Sequence, residues 1–215
     1  MNENNNEDVL KIVIIGEASV GKTSIINQFI DRSFQDDMQT TVGGSYSSKM
    51  IECNNNKVLK LDIWDTAGQE RYRCVTKMFY KDADVALLIY DITQKTSFEE
   101  LKNFWVEQVT KFAPGNIMIV IVGNKSDLFE NEQVNEEEAR KYAKEINACF
   151  FLASAKSTSS VNELFKSIAK KYTGASEARI MEDSEENVSF RKIRKDSVRV
   201  KAKDLSKKKK KKICC

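Results

Sequence analysis

V-L-K-I-V-I-I-G-E-A-S-V-G-K-T-S, residues 9–24, is the stretch whose reading decides the fold. Val9 to Ile15 is an apolar, β-branched run whose only polar member is Lys11, so it predicts a strand buried on both faces, as in a parallel sheet. Gly16, Glu17, Ala18, Ser19, Val20, Gly21, Lys22 and Thr23 then match G-x-x-x-x-G-K-[ST] in full. Ile25, Ile26, Phe29 and Ile30 follow at helical spacing. Glycine at 16 lets the chain turn off the strand, and glycine at 21 leaves room where backbone meets an anion. The N–H groups of this loop, through Ser24, predict an anion nest continued by the helix N-terminus. Lys22 would there reach the β- and γ-phosphates of a nucleotide, and the Thr23 hydroxyl would sit on Mg²⁺. Four specified letters also arise by chance, as a glycine turn with an incidental lysine. The strand–loop–helix setting and the motifs further along argue against that.

Working outward, residues 31–45 are a polar loop without a clean period, and a long irregular stretch beside a phosphate site is usually functional. A threonine there can place its hydroxyl on Mg²⁺ and its N–H on a γ-phosphate, a contact that is lost with the phosphate. Spacing alone leaves Thr40 and Thr41 open. Strands are predicted at Tyr46–Cys53 and Val58–Trp64, joined through Asn54 to Lys57 as a hairpin. Asp65-Thr66-Ala67-Gly68-Gln69-Glu70 comes next. The Asp65 carboxylate can hold a Mg²⁺-bound water beside Thr23. Gly68 permits close approach of its N–H to a terminal phosphate, and the Gln69 amide can donate and accept, so it can position an attacking water. The plain alternative for the segment is an Asx turn before a helix, and the loop at 16–23 argues against it. Residues 70–81 read as a polar amphipathic segment with Tyr72, Val75, Met78 and Phe79.

Further strands are predicted at Asp84–Tyr90, Ile117–Val122 and Cys149–Leu152, with helices at Ser97–Phe112, Asn135–Asn147 and Val161–Tyr172. The alternation is that of an α/β, doubly wound fold, and each motif falls just after a strand, where such sheets bind ligands. Asn124-Lys125-Ser126-Asp127 has no work at the phosphates. A carboxylate at 127 can accept two parallel hydrogen bonds from N1–H and the 2-amino group of guanine, donors that adenine lacks. The Lys125 stem can lie against the ring, and Ser154-Ala155-Lys156 can present the Ala155 N–H to O6. Unpaired polar groups would reject the wrong base.

Composition narrows the classes. The chain has 215 residues, 35 Lys and Arg, 32 Asp and Glu, and no histidine, which excludes a His-based zinc site or nucleophile triad. Its five cysteines form no closely spaced cluster in the body, which fits a reducing, intracellular compartment. Residues 1–8 are polar and acidic, unlike a signal or transit peptide, and no run reaches about 18 apolar residues. Residues 174–215 hold 14 basic and 7 acidic side chains, against 21 and 25 in residues 1–173. A mildly acidic body thus carries a basic tail. The expected organisation is a loose N-terminus (1–8), a nucleotide-binding domain (9–173) and a flexible basic tail (174–215). Lys207–Lys212 and then Cys214 and Cys215 close the sequence. No aromatic-rich surface accompanies the lysines, so a nucleic-acid tail is not favoured.

G-E-A-S-V-G-K-T (16–23), T-V-G (41–43), W-D-T-A-G-Q-E-R-Y (64–72), Y-D-I-T (90–93), N-K-S-D (124–127) and S-A-K (154–156) together resemble the Rab family of Ras-superfamily small GTPases. The resemblance covers residues 9–173 and the Cys-Cys ending. It implies a P-loop small GTPase fold: six mostly parallel strands with one antiparallel edge hairpin strand, and about five helices. It implies a GTPase switching between GDP and GTP in vesicle trafficking, with Mg²⁺ held by Thr23, Thr41 and Asp65. Thr41 is then the switch threonine, Phe34 covers the guanine from the side, and Lys22, Gly68 and Gln69 carry hydrolysis. Asn124, Lys125, Asp127, Ser154, Ala155 and Lys156 form the base site. Tyr46, Trp64 and Phe79 match an effector-binding aromatic triad. Ala18, where Ras has glycine, implies slow intrinsic hydrolysis, and the small residues of G-G-S-Y (43–46) resemble the endosomal branch. The resemblance further implies a monomer served by an exchange factor, a GTPase-activating protein, a GDP-dissociation inhibitor, an escort protein and effectors. Geranylgeranylation of Cys214 and Cys215 would anchor it to the cytoplasmic face of an intracellular membrane, assisted by the lysine run, beside a cytosolic pool. A Ras-like signalling role is the nearest alternative, and the lack of a C-a-a-X box argues against it. A metabolic P-loop NTPase or kinase, or a module that holds nucleotide without hydrolysis, fits the loops less well.

Overall fold

The computed structural model describes residues 8–36, 41, 44–54, 57–66 and 78–181. The chain divides into two units, Met1–Ile180 and Met181–Cys215, and every described element lies in the first. Its sheet runs in the order β6-β5-β4-β1-β3-β2-β7. The strands are β1 (Asp8–Ile15), β2 (Gly44–Cys53), β3 (Lys57–Thr66), β4 (Val85–Asp91), β5 (Met118–Asn124), β6 (Cys149–Leu152) and β7 (Ala178–Ile180). β1 is central and parallel to both β3 and β4, and β5 and β6 continue the parallel side. β2 is antiparallel to β3, and β7 antiparallel to β2.

Among the described residues, the α-helices described in full are α1 (Lys22–Asp31), α2 (Lys95–Glu100), α3 (Val106–Phe112), α4 (Glu136–Glu145) and α5 (Thr158–Thr173). α2 and α3 are two halves of one helix, joined by a π turn at Leu101–Trp105 where the Val106 N–H reaches back to the Leu101 carbonyl. One extra residue in a turn shifts the register of everything after it.

β1 shows why both faces had to be apolar. Leu10, Ile12 and Ile14 pack on one side with Ile25, Ile26 and Phe29 of α1 and Leu164, Phe165 and Ile168 of α5. Phe29 and Phe165 stack with centroids 3.9 Å apart. Val13 and Ile15 pack on the other side with Phe98, Leu101, Trp105 and Val109, and with Ala139 and Ala143 of α4. Period-2 alternation on a strand covered by helices on both faces produces this division.

The α/β class matches the expectation, with two differences in the sheet. Among the described residues it has seven strands rather than six, and the antiparallel hairpin strand is not its edge. After α5 ends in left-handed Gly174, the Asn54 side chain accepts from the Glu177 N–H at 2.8 Å. Ala178–Ile180 then pairs with Ile51–Cys53. Order therefore runs past the expected boundary at Thr173. Three residues are too few to show a period, and the partner strand is over a hundred residues away. The Ser126–Asn131 3-10 turn also has no apolar repeat to announce it. Of the amphipathic segment expected at 70–81, Met78–Tyr80 is helical and residues 67–77 lie outside the described residues.

Candidate functional site

The loop after β1 is shaped by two close approaches. Gly16 has φ +148°, and a Cβ on it would lie 2.2 Å from the Ile89 carbonyl oxygen. Gly21 has φ +92°, and a Cβ there would lie 2.3 Å from Asn124 Nδ2. Only glycine meets both conditions. Ala18 and Ser19 stand exposed at the tip, Ser19 with φ 64°, while Val20 is buried. Lys22 opens α1, and its ammonium donates to the Gly16 carbonyl at 3.0 Å and the Glu17 carbonyl at 2.7 Å. Burial pulls its pKa down to about 8, opposed by the negative charges of Asp65 and Glu17.

Beside it, β3 delivers Asp65 in register with Ile14, next to the start of the loop. The Thr23 hydroxyl donates to Asp65 Oδ2 at 2.7 Å and lies 2.8 Å from the Thr41 hydroxyl. The three residues expected to hold a metal therefore meet, although they come from three parts of the chain. Asp65 is 1% exposed, and its Oδ1 has no hydrogen-bond partner. Burial raises its pKa, with the Thr23 hydrogen bond and the Lys22 charge opposing. A buried, unsatisfied carboxylate oxygen with two hydroxyls alongside is a hard oxygen donor set of the kind Mg²⁺ takes.

The same cleft, of about 430 Å³, extends from Ala18, Lys22 and Thr23 past Thr41 to Phe34, Asn124, Asp127 and Ala155. At its far end Asp127 Oδ1 accepts from the Ser154 hydroxyl at 2.6 Å, and Lys156 Nζ stands 3.7 Å from Oδ2. Lys156 also lies 5.5 Å from the Phe34 ring centroid. Lys125 takes a left-handed φ of 65°, and its ammonium sits 2.6 Å from Asp91 Oδ2.

Two of the expected base-site residues also contact each other. Asn124, expected to read guanine, is 1% exposed and bridges protein to protein. Its Nδ2 donates to the Val20 carbonyl at 2.8 Å and its Oδ1 accepts from the Ala155 N–H at 3.2 Å. Asn124 thus ties the loop at 16–23 to the one at 154–156. The Ala155 N–H, expected at a guanine O6, is engaged in that tie. A pattern read along the chain cannot show a side chain that spans two loops.

Tyr46, Trp64 and Phe79 do meet. Their ring centroids are 5.2 Å apart for the first pair and 5.6 Å for the second, and Lys11 Nζ lies 5.7 Å from the Trp64 ring. Gly68, Gln69, Cys214 and Cys215 lie outside the described residues, as does Thr40. Three contributors were not anticipated individually: Asp91, which holds Lys125; Leu128, which lines the cleft; and Trp105, whose indole N–H donates to Glu17 at 3.0 Å. Asp91 lay in a quoted motif, so its signal was present without a role.

No helix among the described residues is long and apolar enough to cross a membrane. The Ras family matches residues 11–174. The GTP-binding protein ypt5 of Schizosaccharomyces pombe is 42% identical over 162 residues, covering 75% of this chain and 76% of that protein. The human Ras-related protein Rab-22A is 40% identical over 162 residues, 75% of this chain and 82% of its own length. The Ras-related protein Rab-5A of Dictyostelium discoideum is 41% identical over 171 residues, 80% of this chain and 84% of its own. Likeness at this level over nearly the whole ordered body settles the lineage: the chain belongs to the Ras family, among its Rab-type members, and is a GTP-binding protein that hydrolyses GTP.

Proposed function

We propose that this Rab-type GTPase is a Mg²⁺-dependent switch on an endosomal membrane, recruiting effectors while GTP is bound. The observation that carries the reading is one cleft with phosphate-type and guanine-type chemistry at opposite ends: Lys22 with Thr23, Thr41 and Asp65 at one, and Asp127 with Ser154 and Lys156 at the other.

Lys22 and the N–H groups of residues 16–24 hold the phosphates. Thr23, Thr41 and Asp65 are the residues that would hold Mg²⁺, which when bound neutralises charge on the β- and γ-phosphate oxygens. Asp127 selects guanine, with Ser154 and Lys156 keeping its carboxylate aimed. Phe34 and the Lys125 stem flank the base. Gln69 orients the attacking water and Gly68 meets the γ-phosphate. Ala18, exposed at the loop tip, crowds that side of the site, so hydrolysis is slow and a GTPase-activating protein completes it. An exchange factor reloads the protein, and a GDP-dissociation inhibitor and an escort protein handle its lipidated form.

Thr41 sits on the Thr23 hydroxyl, so the segment around it responds to whatever occupies the phosphate end. β2 continues directly from that segment into Tyr46, which touches Trp64, which touches Phe79. These aromatics form the effector surface. Residues 182–215 link the domain to the membrane, through Lys207–Lys212 on anionic headgroups and prenyl groups on Cys214 and Cys215. The Rab-5A and Rab-22A relatives favour an endosomal compartment.

The test is nucleotide binding and single-turnover hydrolysis by the full chain, with GTP and ATP compared and Mg²⁺ present or chelated. Tight, Mg²⁺-dependent retention of GTP and GDP, with weak ATP binding, is the expected result. Equal affinity for ATP would overturn the role given to Asp127. In cells, Cys214→Ser with Cys215→Ser should release the protein from membranes, and retention there would refute the lipid anchor.

A further inference from the structure

Glu17 has a backbone role in the phosphate loop and a side chain that leaves the site. Its carbonyl oxygen accepts from the Lys22 ammonium at 2.7 Å. Its carboxylate, through Oε1, accepts from the indole N–H of Trp105 at 3.0 Å, across 88 residues of sequence. Trp105 is 1% exposed and packs among Val13, Ile15, Leu88 and Phe98, so its N–H would be costly to leave unpaired. It is the last residue of the π turn that joins the two halves of the α2–α3 helix. Such single-turn insertions re-aim side chains and are frequent at functional sites.

We infer that Trp105 is a positioning residue for nucleotide retention: its indole holds the Glu17 carboxylate, and so fixes the Glu17 peptide whose carbonyl seats Lys22. The hydrogen bond joins a neutral donor to an ionised acceptor, which makes it stronger than a bond between neutral groups. It constrains the first residues of the loop through two residues that do not line the cleft. Side chains distant in sequence then hold both halves of the loop. Asn124 takes the Val20 carbonyl at its second half, and Trp105 takes Glu17 at its first. The α2–α3 helix thereby senses the loop directly, and anything that moves Trp105 changes how firmly the phosphates are held. The inference rests on the phosphate-loop reading of residues 16–23.

Trp105→Phe keeps most of the ring volume and removes only the donor. Glu17→Ala removes the acceptor, whereas Glu17→Gln keeps an oxygen that can accept. GDP release from the full chain, loaded with a fluorescent GDP and with Mg²⁺ present, gives the primary readout. Trp105→Phe and Glu17→Ala should each release GDP about fivefold to tenfold faster. The double variant should be no faster than the quicker single one, because both remove the same bond. Glu17→Gln should restore release to within about twofold of the parent, since its amide oxygen replaces the carboxylate as acceptor. The non-additivity and the rescue together tie the effect to this one hydrogen bond and not to lost packing. The indole N–H resonance that disappears in Trp105→Phe identifies Trp105, and it should shift on Glu17→Ala. If Trp105→Phe fails to fold, the Glu17 pair and the indole shift still decide the matter. Additive effects, unchanged release in both single variants, or an indole resonance indifferent to Glu17 would overturn the inference. Absence of GDP binding by the parent chain would instead overturn the phosphate-loop reading itself.

Discussion

Asp91 Oδ2 lies 2.6 Å from the ammonium of Lys125, and Asp91 is fully buried at the end of β4. Its other oxygen accepts from the backbone N–H and the hydroxyl of Thr93, at 2.9 and 2.7 Å. β4 and β5 pair Asp91 with Asn124, so this carboxylate stands beside the loop that carries the base-site residues. Lys125 adopts a left-handed backbone that a β-carbon disfavours. The ion pair helps hold it there. Asp91→Ala should lower stability by about 2 kcal/mol, less than for a wholly buried pair because Lys125 is part-exposed. GDP and GTP affinity should both fall about tenfold, equivalent to 1.4 kcal/mol. Calorimetric titration alongside thermal melting checks it; an unchanged affinity would remove Asp91 from base recognition.

Gly21→Ala should abolish tight nucleotide binding. The added Cβ would meet Asn124 Nδ2 at 2.3 Å, at a φ of +92° where side chains are strained. Backbone strain alone costs about 1–3 kcal/mol, and displacing Asn124 also loosens the loop at 154–156. Gly115→Ala is the matched control. Nothing lies within 4 Å of a Cβ there, so its stability should stay within about 0.5 kcal/mol of the parent. Melting curves with and without GDP distinguish the two.

The lowered pKa of Lys22, about 8, sets a pH dependence. The unfolded lysine keeps its ordinary value of 10.5, so between pH 8 and 10.5 the unfolded chain binds more protons than the free folded one. Stability of the nucleotide-free protein therefore rises with pH through that window, by roughly 3 kcal/mol from this group. Phosphates favour the charged ammonium and raise its pKa again. GDP affinity should consequently fall above pH 8, by up to about tenfold per pH unit, and Lys22→Met should flatten the profile while weakening binding throughout. Titrations from pH 7 to 10 would show it.

Asp65→Asn addresses the metal. In the parent, chelating Mg²⁺ should speed GDP release by about tenfold or more, and in Asp65→Asn chelation should add little. Burial raises the Asp65 pKa, so Mg²⁺ must displace a proton increasingly often as the pH falls through that raised value. Mg²⁺ affinity should weaken at acidic pH in the parent and not in Asp65→Asn. Release rates across a Mg²⁺ series at two pH values check both statements.

Much of the site was legible because its chemistry is local. The residues from Gly16 to Thr23 are contiguous, and so are 124–127 and 154–156, since each is one turn at the carboxyl end of one strand. Tyr46, Trp64 and Phe79 are scattered in sequence, and only their resemblance to a known triad joined them. β7 was hidden for a different reason. Its three residues acquire strand character from β2 and not from their own pattern.

What the sequence by itself determined was the class of fold and the chemical groups at the site. Buried-strand periodicity, glycine at two turns, and lysine, threonine and carboxylate at set positions follow from side-chain chemistry and short-range sterics, which act within a few residues. Only the tertiary structure decided how those groups are held. Asp65 meets Thr23 because β3 lies beside β1; Asn124 clamps Val20 and Ala155 because their loops converge at the carboxyl ends of the strands; Trp105 reaches Glu17 because the helix that carries it packs against Val13 and Ile15 of β1. Hydrogen bonds act over about 3 Å, and the sequence separations here run from 31 to 104 residues. Contacts of that kind exist only once the sheet order has brought their partners together.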